Sequence, residues 1–263
     1  MKHKIVLFLT LISTATFAID INSIMEKAHL ASYYQKDDGT AQLLMKVYPK
    51  GDGKATKKLF YMLRKDIKDG GEQLFYTYFV KPSDIKNTTF LVHKKIKEDD
   101  YRRLYIPASD KVLAISGARK QDPFMGSDFS YEDVSGRHFS KDNHKLLKEN
   151  KFDGKEVYVT ESIPKDKADN NSKIVAWIQK SNFLPLKVEY YNRSGVLYKR
   201  YESKNIKIIS GVPTILKRVM TSLLDGTKTI LLVNPKKIKY NVGLQERDFS
   251  ERSLKKPPMK YLK

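Results

Sequence analysis

The sequence predicts a mainly β protein of the α+β class, built on an incomplete, half-open antiparallel β-barrel with helices covering the opening. Three observations carry this prediction. About eleven or twelve short apolar or alternating runs recur along the chain. Turns that contain glycine connect many of them, and only two or three segments have helical spacing. An antiparallel sheet this long must curl, and the barrel interior then either fills with side chains or holds a ligand.

The first eighteen residues have the features of a secretory signal peptide. Lys2 and Lys4 precede an apolar run that is too short to span a membrane, and small residues at Thr16 and Ala18 suit cleavage after Ala18. The sequence has no cysteine, so it can form no disulfide and carry no lipid on a cysteine at its processed end. We therefore expect a soluble bacterial periplasmic protein whose residues 19–263 form one domain.

The mature chain begins with a predicted helix over about residues 20–36. Ile21, Ile24, Met25 and Ala28 follow helical spacing, and Asp20 can cap the first turn. Beyond this helix the apolar residues alternate instead, which predicts a meander of strands. One of these strands is unusually rich in aromatic residues. The predicted strands of this first block are 43–47, 59–63, 74–80, 89–93, 101–106 and 112–115.

A second block of strands follows a central interruption. Residues 140–150 favour a helix because they combine Leu146 and Leu147 with Lys and Glu. The segment 165–172 is polar and predicts a loop, and the charged tail after Asn241 is expected to be less ordered. The predicted strands of this block are 156–163, 174–179, 184–192, 196–209, 212–223 and 229–233.

The central stretch, residues 124–134, is the most informative part of the sequence. Phe124, Phe129 and Tyr131 alternate with carboxylates around Gly126, a mixture that suits neither a regular strand nor a long helix. It predicts a loop or short helical turn whose rings need an apolar environment.

The formal net charge of +20 limits the classes of partner. In a cytoplasmic protein this excess of Lys and Arg would favour nucleic acid. An exported protein meets anionic lipid head groups instead, so peripheral contact with an anionic membrane surface is one interpretation. The other is a Lys-rich composition spread over solvated faces.

The sequence offers little that predicts catalysis. His138 and His144 lie near several aspartates, but no histidine pair has a zinc-binding spacing. No Gly-x-Ser-x-Gly elbow, phosphate loop or dinucleotide fingerprint occurs. We therefore predict a non-enzymatic protein with no catalytic residue, metal or cofactor. A hydrolase that uses Asp128 and Glu132 as a carboxylate pair stays open as a hypothesis.

Several segments resemble the outer-membrane lipoprotein-sorting family, the LolA-like proteins. The resemblance lies in the central stretch 124–133, in Phe79–Ile85, in Tyr101–Ala108 and in Leu184–Tyr191. Asn87 stands where the family usually has a turn glycine, and the basic run before the central stretch is short. The resemblance implies a LolA/LolB-like barrel that binds lipoprotein acyl chains or lipid as a carrier or chaperone, with an RND-type exporter as a partner. It implies no reaction.

Candidate site residues follow from the predicted strands and the central stretch. Apolar residues are expected to line the cavity, with Phe124, Met125 and Phe129 as a movable lip. The alternative function is a non-transporting module that docks on an envelope or exporter complex. The cavity candidates are Phe75, Phe79, Phe90, Leu104, Ile106, Phe124, Met125, Phe129, Val175, Trp177, Leu186 and Val188, and the motif residues are Gly126, Ser127, Asp128, Tyr131, Glu132 and Asp133.

Overall fold

The computed structural model describes residues 19–51 and 53–262. The predicted signal peptide and its cleavage after Ala18 lie outside the described residues. Three α-helices are present in the described part: α1 (Ile21–Tyr33), α2 (Tyr131–Ser135) and α3 (Glu251–Lys255). The strands are β1 (Asp38–Tyr48), β2 (Thr56–Asp66), β3 (Gln73–Lys81), β4 (Thr89–Lys94), β5 (Tyr101–Ile106), β6 (Lys111–Ala114), β7 (Asp142–Phe152), β8 (Lys155–Pro164), β9 (Asn171–Gln179), β10 (Pro185–Asn192), β11 (Leu197–Ile209), β12 (Val212–Ser222), β13 (Lys228–Val233) and β14 (Lys239–Tyr240).

All these strands belong to one 14-stranded sheet. Its order is β6-β5-β4-β3-β2-β1-β13-β12-β11-β10-β9-β8-β7, with β14 paired to β1. The sheet is therefore two meanders, β1–β6 and β7–β13, which are joined where β1 pairs antiparallel with β13. The edge strands β6 and β7 are connected by residues 115–141. The predicted mainly β, half-open antiparallel fold is confirmed.

Helix α1 forms where helical spacing predicts it. The carboxylate of Asp20 accepts a hydrogen bond from the amide of Asn22, which caps the first turn. Ile24 and Ala28 are buried against Ala176 and Ile178 of β9. The helix thus covers the concave face of the second meander.

The helix predicted over 140–150 is wrong, because these residues form edge strand β7. The segment pairs with β8 from Asp142 to Phe152, and most of its side chains are exposed. Asp153 and Gly154 have positive φ and close the tight turn of this hairpin. A charged strand with one neighbour suits a sheet edge, since charge there opposes pairing with other chains. Its Lys, Leu and Glu residues have high helix propensity, which is why the sequence predicts a helix here.

The charged tail is ordered, contrary to the prediction. The C-terminal segment, residues 242–262, packs on the convex face of β2–β5 and buries Leu244, Phe249, Leu254 and Leu262. The carboxylate of Asp38 accepts hydrogen bonds from the amides of residues 242, 243 and 244 at 2.6–3.0 Å. The buried apolar residues are widely spaced among charged ones, so the composition of this segment does not predict that it packs on the sheet.

The aromatic strand β3 is buried on both of its faces. Phe75 and Phe79 point into the concave core, and Tyr76 and Tyr78 point toward the C-terminal segment. The hydroxyl of Tyr76 donates to the carbonyl of Ser253 at 2.6 Å. This double burial explains why the strand lacks the usual alternation of apolar and polar residues.

Candidate functional site

A cavity of about 660 Å³ lies between the concave face of the sheet, α1 and the central stretch. This volume is in the range of small-molecule pockets. The wall from β1 to β3 and β13 is mostly apolar. Its side chains include those of Leu43, Met45, Phe60, Met62, Phe75, Leu231 and Val233.

The central stretch forms a compact loop that carries aromatic rings into the concave core. The amide of Phe124 donates to the carbonyl of Phe129 at 2.7 Å, which closes the loop. Met125 and Gly126 turn the chain with positive φ. Phe124 and Phe129 are buried, and Tyr131 packs edge-on to Phe124. The predicted loop or short helical turn with buried rings is confirmed.

Hydrogen bonds of Asp128 attach the central stretch to strand β13 and to the turn before it. Its carboxylate accepts hydrogen bonds from the hydroxyls of Thr227 and Thr229, the second at 2.6 Å. The amide of Asp128 donates to the Thr229 hydroxyl at 2.9 Å. The geometry therefore favours a fixed wall over a movable lip at this position.

The short helix α2 continues the central stretch with a capping box. The Ser130 hydroxyl accepts from the amide of Asp133, and the Asp133 carboxylate accepts from the amide of Ser130. The Lys199 ammonium lies 2.8 Å from the same carboxylate. Burial lowers the pKa of Lys199, but the negative charge of Asp133 outweighs it and raises that pKa above its usual value.

Arg137 is the centre of a buried ion-pair network beside the cavity. Its guanidinium lies 2.6 Å from Asp142, 2.8 Å from Asp169 and 3.3 Å from Glu132. Burial alone would lower the pKa of Arg137, but these carboxylates hold it above its ordinary value. The network joins the end of the central stretch to β7 and to the loop before β9.

A group of half-buried tyrosines forms the opposite, polar wall. Tyr33 comes from α1, Tyr190 from β10 and Tyr201 from β11, and all line the cavity. Burial, together with Tyr201 and Asp133, raises the pKa of Tyr33, although Arg218 opposes the rise. Burial and Asp133 also raise the pKa of Tyr190. These phenols therefore stay protonated and can donate hydrogen bonds.

Two histidines meet at the other side of α1. The rings of His29 and His138 lie 4.7 Å apart, edge to face. Within residues 19–51 and 53–262, the Nε2 atom of His29 has no hydrogen-bond partner. Burial and the neighbouring Lys94 and His138 lower the pKa of His29 to about 3. His29 is therefore neutral in the folded protein at neutral pH.

The stability of the protein should fall as the pH is lowered from 7 to 4. His29 takes up a proton near pH 6.5 in the unfolded chain, but only near pH 3 in the folded protein. Between these values the unfolded state binds more protons, so the free energy of unfolding drops by up to about 1.4 kcal/mol per pH unit. Urea unfolding measures this slope, and His29→Phe should flatten it. An equal slope in both proteins would contradict this origin.

The predicted cavity residues fall into three groups. Phe75, Phe124, Phe129 and Val188 line the cavity. Others belong to the same concave core but lie behind the lining side chains, namely Phe79, Phe90, Leu104, Ile106 and Met125.

The third group lies on the wrong face of the sheet. Val175, Trp177 and Leu186 pack in a separate cluster on the convex side, so they do not line the cavity. The alternate residues Ile174 and Ala176 line it instead. Since neighbouring side chains of a strand point to opposite faces, an error of one residue misplaces both Val175 and Trp177. Leu186 is turned away from the face of Val188 by the irregular register between Pro185 and Lys187.

Most motif residues also lie at the cavity wall. Ser127, Asp128, Glu132 and Asp133 line it, whereas Tyr131 packs against Phe90 and Gly126 makes the turn. The carboxylates of the hydrolase hypothesis are both engaged, Asp128 by threonine hydroxyls and Glu132 by Arg137. In the described part of the chain, no three His, Cys, Asp or Glu side chains group together as metal ligands would.

Sequence reasoning missed the polar half of the wall. On the apolar half, Leu43 and Met45 were not among the candidates either, although the alternation of apolar and polar residues in β1 indicates that they share one face. Tyr33 and Arg218 carried no such signal, because helical spacing and strand register do not show that a helix end faces a strand far along the chain.

Of the residues that the structure describes, none forms a helix that is both long and apolar enough to cross a membrane.

Known proteins resemble this chain over most of its length. A family model with the description "Uncharacterized protein" matches residues 71–256. A solved domain from Vibrio parahaemolyticus, named for outer membrane lipoprotein sorting, is 32% identical with a TM-score of 0.82, covering 89% of this chain and 98% of that chain. A DUF1329 family protein from Desulfovibrio piger is 26% identical with a TM-score of 0.81 and the same coverage.

The fold extends to a wider group. A LolA superfamily protein from Nitrosomonas europaea is 20% identical with a TM-score of 0.70, covering 89% of this chain and 99% of that chain. Among curated proteins no significant match is found. The resemblance carried by the central stretch is thus confirmed over nearly the whole described chain. The chain belongs to the outer-membrane lipoprotein-sorting family, whose proteins have the LolA-like fold.

Proposed function

We propose that this protein is a carrier or chaperone that encloses an acyl chain of a lipid or lipoprotein and moves it through the cell envelope. The observation that carries the proposal is the cavity of about 660 Å³ with its apolar wall on β1–β3. Each CH₂ group removed from water contributes roughly 0.8 kcal/mol, so such a wall favours an alkyl chain. The LolA-like fold is a binding fold, and the proposal includes no reaction.

The place of action and the partners belong to the same proposal. We place the protein in the periplasm, on the strength of its predicted signal peptide, with an RND-type exporter as a candidate partner from the family resemblance. Co-purification of tagged protein with such an exporter from crosslinked cells tests the partnership. Recovery of the protein alone would count against it.

The cavity rim also offers a surface for contact with a membrane. Leu223 and Leu224 are exposed beside Ser222 and Asp225, which line the cavity. The side chain of Lys50 lies close to Gly226 in the same region. Apolar side chains next to a lysine suit an anionic bilayer surface. Co-sedimentation with anionic vesicles, compared with neutral ones, would measure this contact.

Native mass spectrometry with lipid extraction tests the carrier proposal directly. The protein is purified gently from its own envelope fraction. A stoichiometric acylated species supports the carrier and identifies its cargo. A bare protein that takes up neither added phospholipid nor lipoprotein would favour the alternative, a docking module that carries nothing.

Filling the cavity should weaken lipid binding without unfolding the protein. Ala41 of β1 lines the cavity and pairs with Met62 of β2. A phenyl ring at this position occupies space meant for an alkyl chain, so Ala41→Phe should lower lipid affinity at least tenfold. Titration of delipidated protein measures the loss, and the urea midpoint should stay the same or rise.

The matched control is Ala168→Phe, in an exposed loop. It should bind lipid like the wild type. Equal binding by both variants would contradict the assignment of the cavity. A charge at Phe129 would be a poorer test, because that ring is buried and its loss would destabilise the fold itself.

A further inference from the structure

The wall of the cavity is divided into an apolar and a polar side. The apolar side is formed by Leu43, Met45 and Phe60 of the first meander. Facing it, Tyr190 of β10, Tyr201 of β11 and Arg218 of β12 present hydroxyls and a guanidinium, and Tyr33 of α1 joins them. A hydrocarbon alone would use only the first side.

Most cations in this wall already have counter-ions. The Arg64 guanidinium lies 2.7 Å from Asp66, and the Lys199 ammonium lies 2.8 Å from Asp133. Arg137 pairs with the three carboxylates described above. These groups therefore contribute little free positive charge to the interior.

Arg218 differs from them. Its Nη1 atom donates to the carbonyl of Ile215 at 3.1 Å. Among the described residues it forms no ion pair. A guanidinium has five N–H donors, so most of them remain available.

Arg218 lies in the middle of β12 and is half-buried. It lies opposite Leu231 of β13 and Ser203 of β11 in the sheet register. Three residues separate it from Ser222 at the end of β12, which is about 13 Å along the strand. A half-buried charge without a counter-ion loses part of its hydration, and a bound anion would offset this cost in free energy.

The tyrosines around Arg218 supply further donors. In the part of the chain that the structure describes, no partner binds the hydroxyls of Tyr33 and Tyr190. The Ser203 hydroxyl donates its single proton to the Pro185 carbonyl at 2.5 Å, so the Tyr201 hydroxyl, 3.0 Å from Ser203, donates to Ser203 and is already engaged. The protons of the Tyr33 and Tyr190 hydroxyls are thus available to donate hydrogen bonds.

We propose that Arg218, with Tyr33 and Tyr190, binds the ionised head group of an amphiphile whose alkyl chain lies along β1–β3. The head group is a carboxylate or a phosphate monoester, since both offer oxygens that match a guanidinium fork. This inference rests on the proposed carrier function and narrows its cargo. A fully acylated lipoprotein terminus has no charge and would leave Arg218 without a counter-ion.

Matched ligands separate the head group from the chain. Delipidated protein is titrated with hexadecanoic acid and with hexadecanol, which share one chain length and differ in charge. The acid should bind at least about tenfold more tightly, a difference of 1.4 kcal/mol. A third titration with hexadecyl phosphate distinguishes a carboxylate from a phosphate head group, because the anion that binds more tightly identifies the head group.

Variants then test the residue. Arg218→Met keeps the alkyl stem and should reduce binding of the acid about tenfold or more, while hexadecanol binding stays the same or improves. The matched control is Lys217→Met, which removes the same charge from the other face of β12. Arg218→Lys should restore part of the preference for the acid.

The outcomes distinguish this proposal from the carrier function. Equal affinity for acid and alcohol in the wild type overturns the head-group site but leaves the carrier intact. An equal loss of both ligands in Arg218→Met also overturns it. If neither ligand binds the wild type, the carrier function fails, and the head-group site fails with it.

Discussion

Replacing Phe249 by Ala should destabilise the protein by about 3–5 kcal/mol, which is the usual cost of removing a fully buried phenyl ring. Phe249 is 0% exposed and packs with Leu254 and with the convex residues of β2–β4. Its carbonyl oxygen also lies 2.7 Å from the Nε2 atom of His93, within hydrogen-bond distance. Because domains of this kind are stable by only about 5–15 kcal/mol, this loss is a large fraction of the total. Urea denaturation at pH 7 measures it.

Met259 provides the control for the same segment. Its side chain is 50% exposed, so Met259→Ala should change the free energy of unfolding by less than about 1 kcal/mol. Similar midpoints for the two variants would show that the C-terminal segment is not an integral part of the fold.

Replacing Arg137 by Met should cost about 3–5 kcal/mol at neutral pH, because it leaves buried carboxylates without a counter-ion. The side chains of Glu132, Asp142 and Asp169 are 9%, 6% and 1% exposed. Burial would raise the pKa of Asp169, but the Asn171 amide and Arg137 hold that pKa below its usual range. The stability that the Asp169 carboxylate contributes to the wild type is therefore present above its pKa in the unfolded chain. It is lost as the pH falls through its pKa in the folded protein.

The variant should behave differently in acid. Without Arg137 the Asp169 carboxylate loses a group that lowers its pKa, so the stability gap to the wild type should narrow between pH 7 and pH 4. Arg119→Met, which removes a half-exposed pair with Asp122, should cost less than about 1 kcal/mol. A gap that is constant with pH would contradict the assigned role of the carboxylates.

Alternation made the sheet predictable from the sequence. Leu43, Met45 and Val47 mark β1, and the Gly-containing turns mark its neighbours, since each signal acts over a few residues. The central stretch was recognisable for a similar reason, because Phe124, Phe129 and Tyr131 must be buried wherever the loop lies.

The errors share a different cause. Strand β7 reads as a helix because Leu146, Leu147 and their charged neighbours favour one, and only pairing with β8 decides otherwise. Trp177 was assigned to the cavity because a strand does not reveal which of its faces is concave. Arg218 was missed because its significance depends on what faces it across the barrel.

The pairing of β1 with β13 has a consequence for the way the chain folds. Leu43 of β1 lies opposite Val233 of β13, so residues from the two ends of the sequence form the join between the meanders. Each meander consists of neighbouring hairpins that can form locally and early. The join brings distant segments together at a high entropic cost and becomes possible only after nearly the whole chain is synthesised. A high contact order of this kind slows folding, so we expect the join to be the last part of the sheet to form.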